Sequence, residues 1–409
     1  MSPAPHTPRA LPRILLVTDA DLTVGSRGAG RTLVNLFSRY PAGALLAVSG
    51  SARAPYQAEG GFQVLPGAPG IPGRLLDRLR GVIGDVDATL ARWKPLPDAA
   101  AIRAFAPELI LAVPTHPVGI ALAERCAAMA PAAPVVTYLM DDWLSHLDSS
   151  RLAFDSPRRG RALLRASRGW LVISRYLLES MRRATGAERP AQVVHNPVRL
   201  SGAEPAALAA PRRGRFRVAY AGSVWPMHWD AVAAVAASVA RLRAAGADIE
   251  FVLFTDRFFW GRHEADWVRW GVVDGGLVPY ELLGGALGDC DLLLVASSFD
   301  PSQAHMSRSS VQTKVTDYMA AGRPILGCGP HDAASNRFLE EHACALFAED
   351  PAPAAVDSAL RACVAARNDG PALARRAWDV VRREHEMGAV TDALYGFLRR
   401  MADGEQRTA

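Results

Sequence analysis

The chain has 409 residues, half of them apolar, with 46 Lys and Arg against 41 Asp and Glu for a formal net charge of +5. That length and apolar content suit two domains, each with its own core, and no apolar run reaches the roughly 18 residues of a membrane-spanning helix. Five scattered cysteines (Cys126, Cys290, Cys328, Cys344 and Cys363), odd in number and without metal-ligand spacing, read as reduced core residues of a cytoplasmic protein, and the basic stretches lack the interleaved aromatics of a nucleic-acid groove.

The first dozen residues, rich in Pro and Ala, predict a flexible tail without the apolar stretch of a secretory signal. Residues 13–18 predict a buried parallel strand, followed by a loop carrying Gly25, Gly28 and Gly30 and a helix starting near Arg31. Glycines beyond the carboxyl end of such a strand let backbone approach a phosphate; ordinary loop glycines are the alternative. Their spacing is not Gly-x-Gly-x-x-Gly, which disfavours a nicotinamide enzyme. Further strands are predicted near 44–48, 62–65, 108–113, 134–139 and 169–173, with helices between several of them. His116 follows the third of these strands and reads either as a cap before Pro117 or as a site residue. Asp141-Asp142 follows the fourth, where Asp142 is either an acceptor-side residue or a helix cap.

Arg158, Arg159, Arg161, Arg165 and Arg168 form a basic helix, and residues 74–93, with Leu75, Leu76, Leu79 and Ile83, an amphipathic stretch. Either is a solvated face or a peripheral contact with an anionic membrane surface. A second alternation places strands near 216–221, 249–254, 291–296, 324–326 and 344–347. Asp289-Cys290-Asp291 leads into an apolar strand and reads as a turn, so no metal is predicted. The last helix, about 387–401, carries Val390, Leu394, Phe397 and Leu398 on one face. Strands alternating with helices in two series imply an α/β chain with doubly wound parallel sheets.

The most informative stretch runs from Ser309 to Leu326, read as loop, helix, Gly-turn and buried strand. Ser309 or Ser310 is expected to cap the helix, and Gly322 and Pro324 to end it. Ser310, Lys314 and Asp317 then share one side, since steps of four and three residues return to nearly the same azimuth. Helix-end N–H groups suit a phosphate, Lys314 (with Lys94 one of only two lysines) adds a charge, and Asp317 adds an acceptor for a pair of sugar hydroxyls. The bland alternative is an exposed Lys314–Asp317 pair.

This stretch resembles the donor-binding element of GT-B glycosyltransferases, specifically the retaining, family-4-like group. Asp317 stands at that pattern's second acid, Met319-Ala320-Ala321-Gly322-Arg323-Pro324 follows in register, and Lys314 matches a common Lys three residues earlier. Four further pieces fall in the family's order: Leu171-Val172-Ile173-Ser174, Val193-Val194-His195-Asn196-Pro197-Val198, Ala219-Tyr220-Ala221-Gly222 and Cys290 to Ser297. There are two departures: Ser309 replaces the family's first acid, and Ser223 to Asp230 lacks its diphosphate-clamping Arg and Lys, for which Arg308, Arg323 or His228 are the candidate substitutes.

The resemblance implies two Rossmann-like domains facing across a cleft, with the C-terminal helix returning to the first. The boundaries would be a tail (1–12), an acceptor-side domain (13–197), a linker (198–215), a nucleotide-sugar domain (216–380) and a returning segment (381–409). It implies sugar transfer from a nucleotide-sugar co-substrate, with no other cofactor, to a saccharide, glycolipid or small-molecule hydroxyl, with retention and without metal. His116 and Lys314 would be catalytic, Gly28, Gly30, Gly222, Ser309, Ser310, Val311, Gln312, Thr313 and Asp317 would bind the donor, and Asp142 would lie on the acceptor side. The segment from Trp260 to Tyr280 would line the base pocket. An Arg- and Ala-rich composition suggests a GC-rich bacterial genome and a setting in polysaccharide or glycolipid assembly, in the cytoplasm or at the inner membrane face. A non-catalytic nucleotide-sugar-binding protein and a GT-B sugar-nucleotide epimerase are the alternatives.

Overall fold

In a computed structural model of the protein, residues 10–24, 28–41, 43–67, 88, 91, 92, 96, 98–149, 155–200, 202–208, 213–368 and 370–404 are described. The amphipathic segment with Leu75, Leu76, Leu79 and Ile83 lies outside them, as do Gly25 and Lys94. The chain divides into two compact units, one of residues 1–195 with 390–409 and one of residues 196–389.

The first unit is built on strands β1 (Ile14–Thr18), β2 (Leu45–Ser49), β3 (Tyr56–Gln57), β4 (Gln63–Pro66), β5 (Leu109–Val113), β6 (Val135–Leu139), β7 (Gly169–Val172) and β8 (Ala191–Val193). Their order across the sheet is β3-β4-β2-β1-β5-β6-β7-β8, and only the β3–β4 pair is antiparallel. Strands buried on both faces must be apolar throughout, and Ile-Leu-Leu-Val in β1 and Leu-Ile-Leu-Ala-Val in β5 are fully buried. The register sets Thr18 beside both Ser49 and Val113. The strand order reverses between β1 and β5, the position where open α/β sheets bind ligands beyond their carboxyl ends.

The second unit carries β9 (Phe216–Ala221), β10 (Ile249–Phe254), β11 (Val273–Asp274), β12 (Leu292–Ala296), β13 (Ile325–Cys328) and β14 (Leu346–Ala348). All are parallel, in the order β11-β10-β9-β12-β13-β14, so its reversal falls between β9 and β12.

The last helix, Met387–Asp403, inserts Val390, Leu394, Phe397, Leu398 and Met401 into the core of the first unit. Tyr395 in that helix donates to the Leu36 carbonyl at 2.7 Å. The boundaries differ from the sequence reading. The first unit ends at His195 rather than 197, and residues 381–389 stay with the second unit, where His385 is buried and Val198 bridges Glu386. The short strands β3, β8 and β11 were not predicted, because two or three residues carrying Gln or Asp do not form an apolar run.

Among the described residues no helix is long and apolar enough to cross a membrane. The basic helix, Ser156–Ala166, does not present a free cationic face. Arg159 pairs with Glu124 and Asp155, Arg161 with Asp148, Arg165 donates to the Thr185 carbonyl and Arg168 to that of Met401. Arg158 is 90% exposed, 3.8 Å from Asp155. Asp291 is likewise structural: its carboxylate accepts from the Arg217 backbone N–H and from Arg367, both at 2.8 Å.

Candidate functional site

The carboxyl end of the second sheet is organised around the turn after β9. Gly222 has φ +120°, a conformation that disfavours any side chain, and a Cβ there would come within 3.3 Å of Lys314 Nζ. The turn is held from several sides. The Ala221 N–H donates to the Tyr318 hydroxyl oxygen at 2.8 Å, Tyr220 donates to the Ser223 carbonyl at 2.9 Å, and the Gly222 N–H donates to the Phe254 carbonyl at 2.9 Å.

Lys314 lies against this turn. Its ammonium stands 3.6 Å from the centroid of the Tyr220 ring, a cation–π contact, and among the described residues Nζ has no hydrogen-bond partner although it is sealed from solvent. Burial holds its pKa well below the ordinary lysine value. An unpaired buried ammonium is costly, so an anionic ligand at this point would gain a charge-assisted contact.

Thr255 Oγ1 directly after β10, Gln312 Oε1 and Ser310 Oγ are likewise buried without a hydrogen-bond partner among the described residues. Gln312 is fixed to the end of β12, its amide donating to the Ala296 carbonyl at 2.8 Å and to Ser297 Oγ at 3.2 Å. Since β10, β9 and β12 are adjacent, Thr255 and Gln312 belong to one end of the sheet's centre. Buried polar atoms are ordinarily hydrogen-bonded, so this concentration marks a place suited to a polar ligand.

Asp317, one turn after Lys314, accepts from the Tyr280 hydroxyl at 3.1 Å, and burial pushes its pKa up to about 7. The two side chains therefore do not form the exposed ion pair that the spacing permits: each is separately shifted toward its neutral form.

Several expectations change. The helix runs Lys314–Ala320, with Thr313 before it, so neither Ser309 nor Ser310 caps it and Lys314 is its first residue. Ser309 is buried and donates to His305; Val311 is a core residue and Thr313 is exposed. Of the candidate substitutes for the missing bases, Arg308 is engaged by Asp332 at 2.6 Å. Arg323 donates to the Gly288 carbonyl and borders Phe216 and Asp291, at the amino ends of β9 and β12, the wrong end of the sheet. His228 is buried with its Nδ1 3.2 Å from the Ser223 carbonyl, and burial, together with Lys314, pushes its pKa down to about 3. His228 thus reaches the turn without a charge, and Lys314 is the basic side chain that lies against Gly222. Between Trp260 and Tyr280, Trp267 is buried beneath Trp229 and Trp270, while Leu277 and Tyr280 are exposed.

In the first unit, Asp19, which follows β1, organises the switch point and was not singled out from sequence. Its carboxylate accepts from Thr115 N–H and hydroxyl at 2.8 and 2.7 Å, His116 N–H at 2.7 Å and Gly119 N–H at 3.1 Å. This ties the start of the helix Pro117–Met129 to β1 and leaves the His116 ring exposed at the helix entrance. Asp142 is 1% exposed; its oxygens accept from Ser145 N–H at 2.9 Å and Ser180 hydroxyl at 2.8 Å. It is a helix cap, and the acceptor-side assignment is withdrawn. Gly28 precedes the helix Ala29–Phe37 at φ +57°, with open space where a Cβ would lie, whereas Gly30 is buried within that helix and is not a loop glycine.

No protein-family model and no curated protein sequence matches the chain. Solved structures do. HepE of Anabaena, in complex with UDP and glucose, is 15% identical with a TM-score of 0.65, over 95% of this chain and 99% of that one. Sucrose-phosphate synthase of Thermosynechococcus elongatus is 13% identical with a TM-score of 0.69, over 96% and 99%. A trehalose-6-phosphate protein from E. coli bound with UDP-2-fluoro glucose is 11% identical with a TM-score of 0.64, over 95% and 99%. The likeness runs almost end to end, and the chain has the GT-B glycosyltransferase fold, as its sequence resemblance implied.

Proposed function

We propose that the protein is a glycosyltransferase that moves a sugar from a nucleotide-sugar to an acceptor hydroxyl, and that the donor sits at the carboxyl ends of β9, β10 and β12. The observation that carries this reading is Lys314, a sealed ammonium without an acceptor, against a glycine turn. A diphosphate supplies the missing counter-charge at the point where Nζ lies against the Gly222 turn. Nucleotide complexes among the structural neighbours, HepE with UDP-glucose and the E. coli protein with UDP-2-fluoro glucose, make a uridine donor the first choice.

In this reading Lys314 acts on the leaving diphosphate. Negative charge grows there as the sugar–phosphate bond breaks, so a fixed ammonium in a water-poor site stabilises the transition state more than the ground state. Because burial depresses the pKa of Lys314, diphosphate binding raises it again and takes up a proton wherever the free amine is partly neutral. Asp317, freed of its proton, accepts from the two ribose hydroxyls while Tyr280 orients it. Ser310, Thr255 and Gln312 offer the remaining polar contacts.

Isothermal titration with UDP, ADP and GDP in the presence of EDTA tests the donor site. Micromolar binding of UDP by the wild type, lost in Lys314→Ala at unchanged melting temperature, is the expected result. Equal binding by both proteins removes Lys314 from the site. Tight nucleotide binding without release of sugar to any acceptor or to water favours a non-catalytic binding protein instead.

A further inference from the structure

Three adjacent strands of the first unit, β1, β5 and β6, carry Asp19, His116 and the pair Asp141-Asp142 beyond their carboxyl ends. Two of these three carboxyls are spent on the fold. Asp19 accepts four hydrogen bonds from residues 115–119, among them the His116 and Gly119 N–H groups at the entrance of the helix Pro117–Met129. Asp142 accepts from Ser145 and Ser180. Asp141 is different: its Oδ1 is buried with no hydrogen-bond partner among the described residues. Burial raises its pKa, the nearby His116 lowers it, and the Asp142 and Asp19 charges raise it further.

A buried carboxylate is costly unless it is paired, and the fold supplies the Asp141 Oδ1 with no donor. Three carboxyls against one imidazole also leave these strand ends short of positive charge. An anion is not the missing ligand, since Asp19 already occupies the N–H groups of the helix entrance. A metal ion is not either, because among the described residues no three His, Cys, Asp or Glu side chains are grouped to hold one. A neutral hydroxyl would give the orphaned oxygen a proton and leave the charge unbalanced. A protonated amine supplies both, through a charge-assisted hydrogen bond. The position lies beside the strand reversal between β1 and β5, where open α/β sheets take their ligands.

We infer that the carboxyl end of the first sheet binds an amino sugar, with Asp141 accepting a hydrogen bond from its protonated amine. That the ligand is a saccharide rests on the glycosyltransferase reading above; that it carries a cation rests on Asp141 and the carboxyls around it. The exposed His116 ring borders the position and offers a polar contact to the sugar hydroxyls. Pairing with the amine draws the Asp141 carboxyl toward its ionised form. Binding at a pH where that carboxyl is partly protonated therefore releases a proton.

The test titrates the full chain near neutral-to-acid pH, where the amine is protonated, with D-glucosamine, D-glucose, N-acetyl-D-glucosamine and methylammonium, and separately with UDP. Wild-type protein is expected to bind glucosamine roughly 10- to 150-fold more tightly than glucose or N-acetylglucosamine, the range for one charge-assisted hydrogen bond. Methylammonium, which has the charge without the sugar, is expected to bind more weakly than glucosamine. Calorimetry in two buffers of different ionisation enthalpy is expected to show proton release with glucosamine, which a merely structural carboxyl would not give. Asp141→Asn is expected to lose the preference for glucosamine over glucose while UDP affinity is unchanged. Its melting temperature should equal or exceed that of the wild type, since an unpaired buried acid is removed. Equal affinity for glucosamine and glucose, no binding of either, or a preference kept in Asp141→Asn overturns the amine site; methylammonium binding as tightly as glucosamine overturns the sugar. Any of these results beside normal UDP binding leaves the transferase reading in place. Glucosamine binding without UDP binding overturns the donor site and leaves the amine site standing.

Discussion

The Lys314 ammonium stands 3.6 Å from the centre of the Tyr220 ring and has no hydrogen-bonding partner among the described residues. Lys314 opens a helix, Tyr220 lies near the end of β9 almost a hundred residues earlier, and the ring holds the amine where the chain turns at Gly222. The contact partly compensates a buried cation without neutralising it, which leaves the charge available to an anion.

Replacing Lys314 by Met should therefore separate binding from stability. A charge-assisted hydrogen bond contributes about 1.5–3 kcal/mol, so UDP affinity should fall roughly 10- to 150-fold. The ligand-free protein should melt at the same temperature or higher, since an unpaired buried ammonium is replaced by an apolar chain of similar length. Titration calorimetry in two buffers of different ionisation enthalpy should also show proton uptake on UDP binding in the wild type and its loss in the variant.

Gly222→Ala probes the same contact from the other side. The backbone at φ +120° is strained for any residue with a Cβ, and that atom would meet Nζ at 3.3 Å. The strain costs roughly 1–3 kcal/mol, and the lysine must give way. A lower melting temperature together with weakened UDP binding is expected. Unchanged UDP affinity would show that the position of Nζ at this turn does not matter.

Asp317 gives the site a pH dependence of definite sign. Its folded-state pKa is raised from the ordinary 3.8 to about 7, mainly by burial, with the Tyr280 hydroxyl opposing. For a carboxyl raised on folding, its contribution to stability is present below about pH 4 and is lost as pH rises through about 7. The ligand-free wild type should then lose stability relative to Asp317→Asn over that window. Ribose recognition needs the opposite form, an ionised acceptor. The ratio of wild-type to Asp317→Asn affinity for UDP should rise through pH 7, and taking the ratio cancels titration of the nucleotide's own phosphate. A flat ratio would exclude Asp317 from ribose contact.

The parallel strands were legible because burial on both faces demands uninterrupted apolar runs, and Ile14–Thr18, Leu109–Val113 and Leu292–Ala296 supply them. Lys314 and Asp317 were legible through the motif around them. The start of their helix was not: Ser309 and Ser310 are good caps by composition, but Gln312 is bound to Ala296 and Ser297 of another strand, and that tertiary anchoring delays the helix to Lys314. The pair Asp141-Asp142 shows the same limit. Sequence offers two adjacent carboxyls, and which one caps depends on where the helix Trp143–Ser149 begins in three dimensions. Asp19 gave no local signal at all, since every partner of its carboxylate lies about a hundred residues away in the chain.

That remoteness makes Asp19 the clearest test of how the first unit is assembled. Its two oxygens receive three backbone N–H groups and one hydroxyl from residues 115–119, joining the ends of β1 and β5 at the strand reversal. Asp19→Asn keeps the shape but replaces one acceptor oxygen by a donor that faces N–H groups. At least one buried N–H then loses its partner, costing roughly 1–3 kcal/mol. The variant should unfold at lower urea concentration. An unchanged urea midpoint would show that the contacts of Asp19 at the strand reversal do not hold the first unit together.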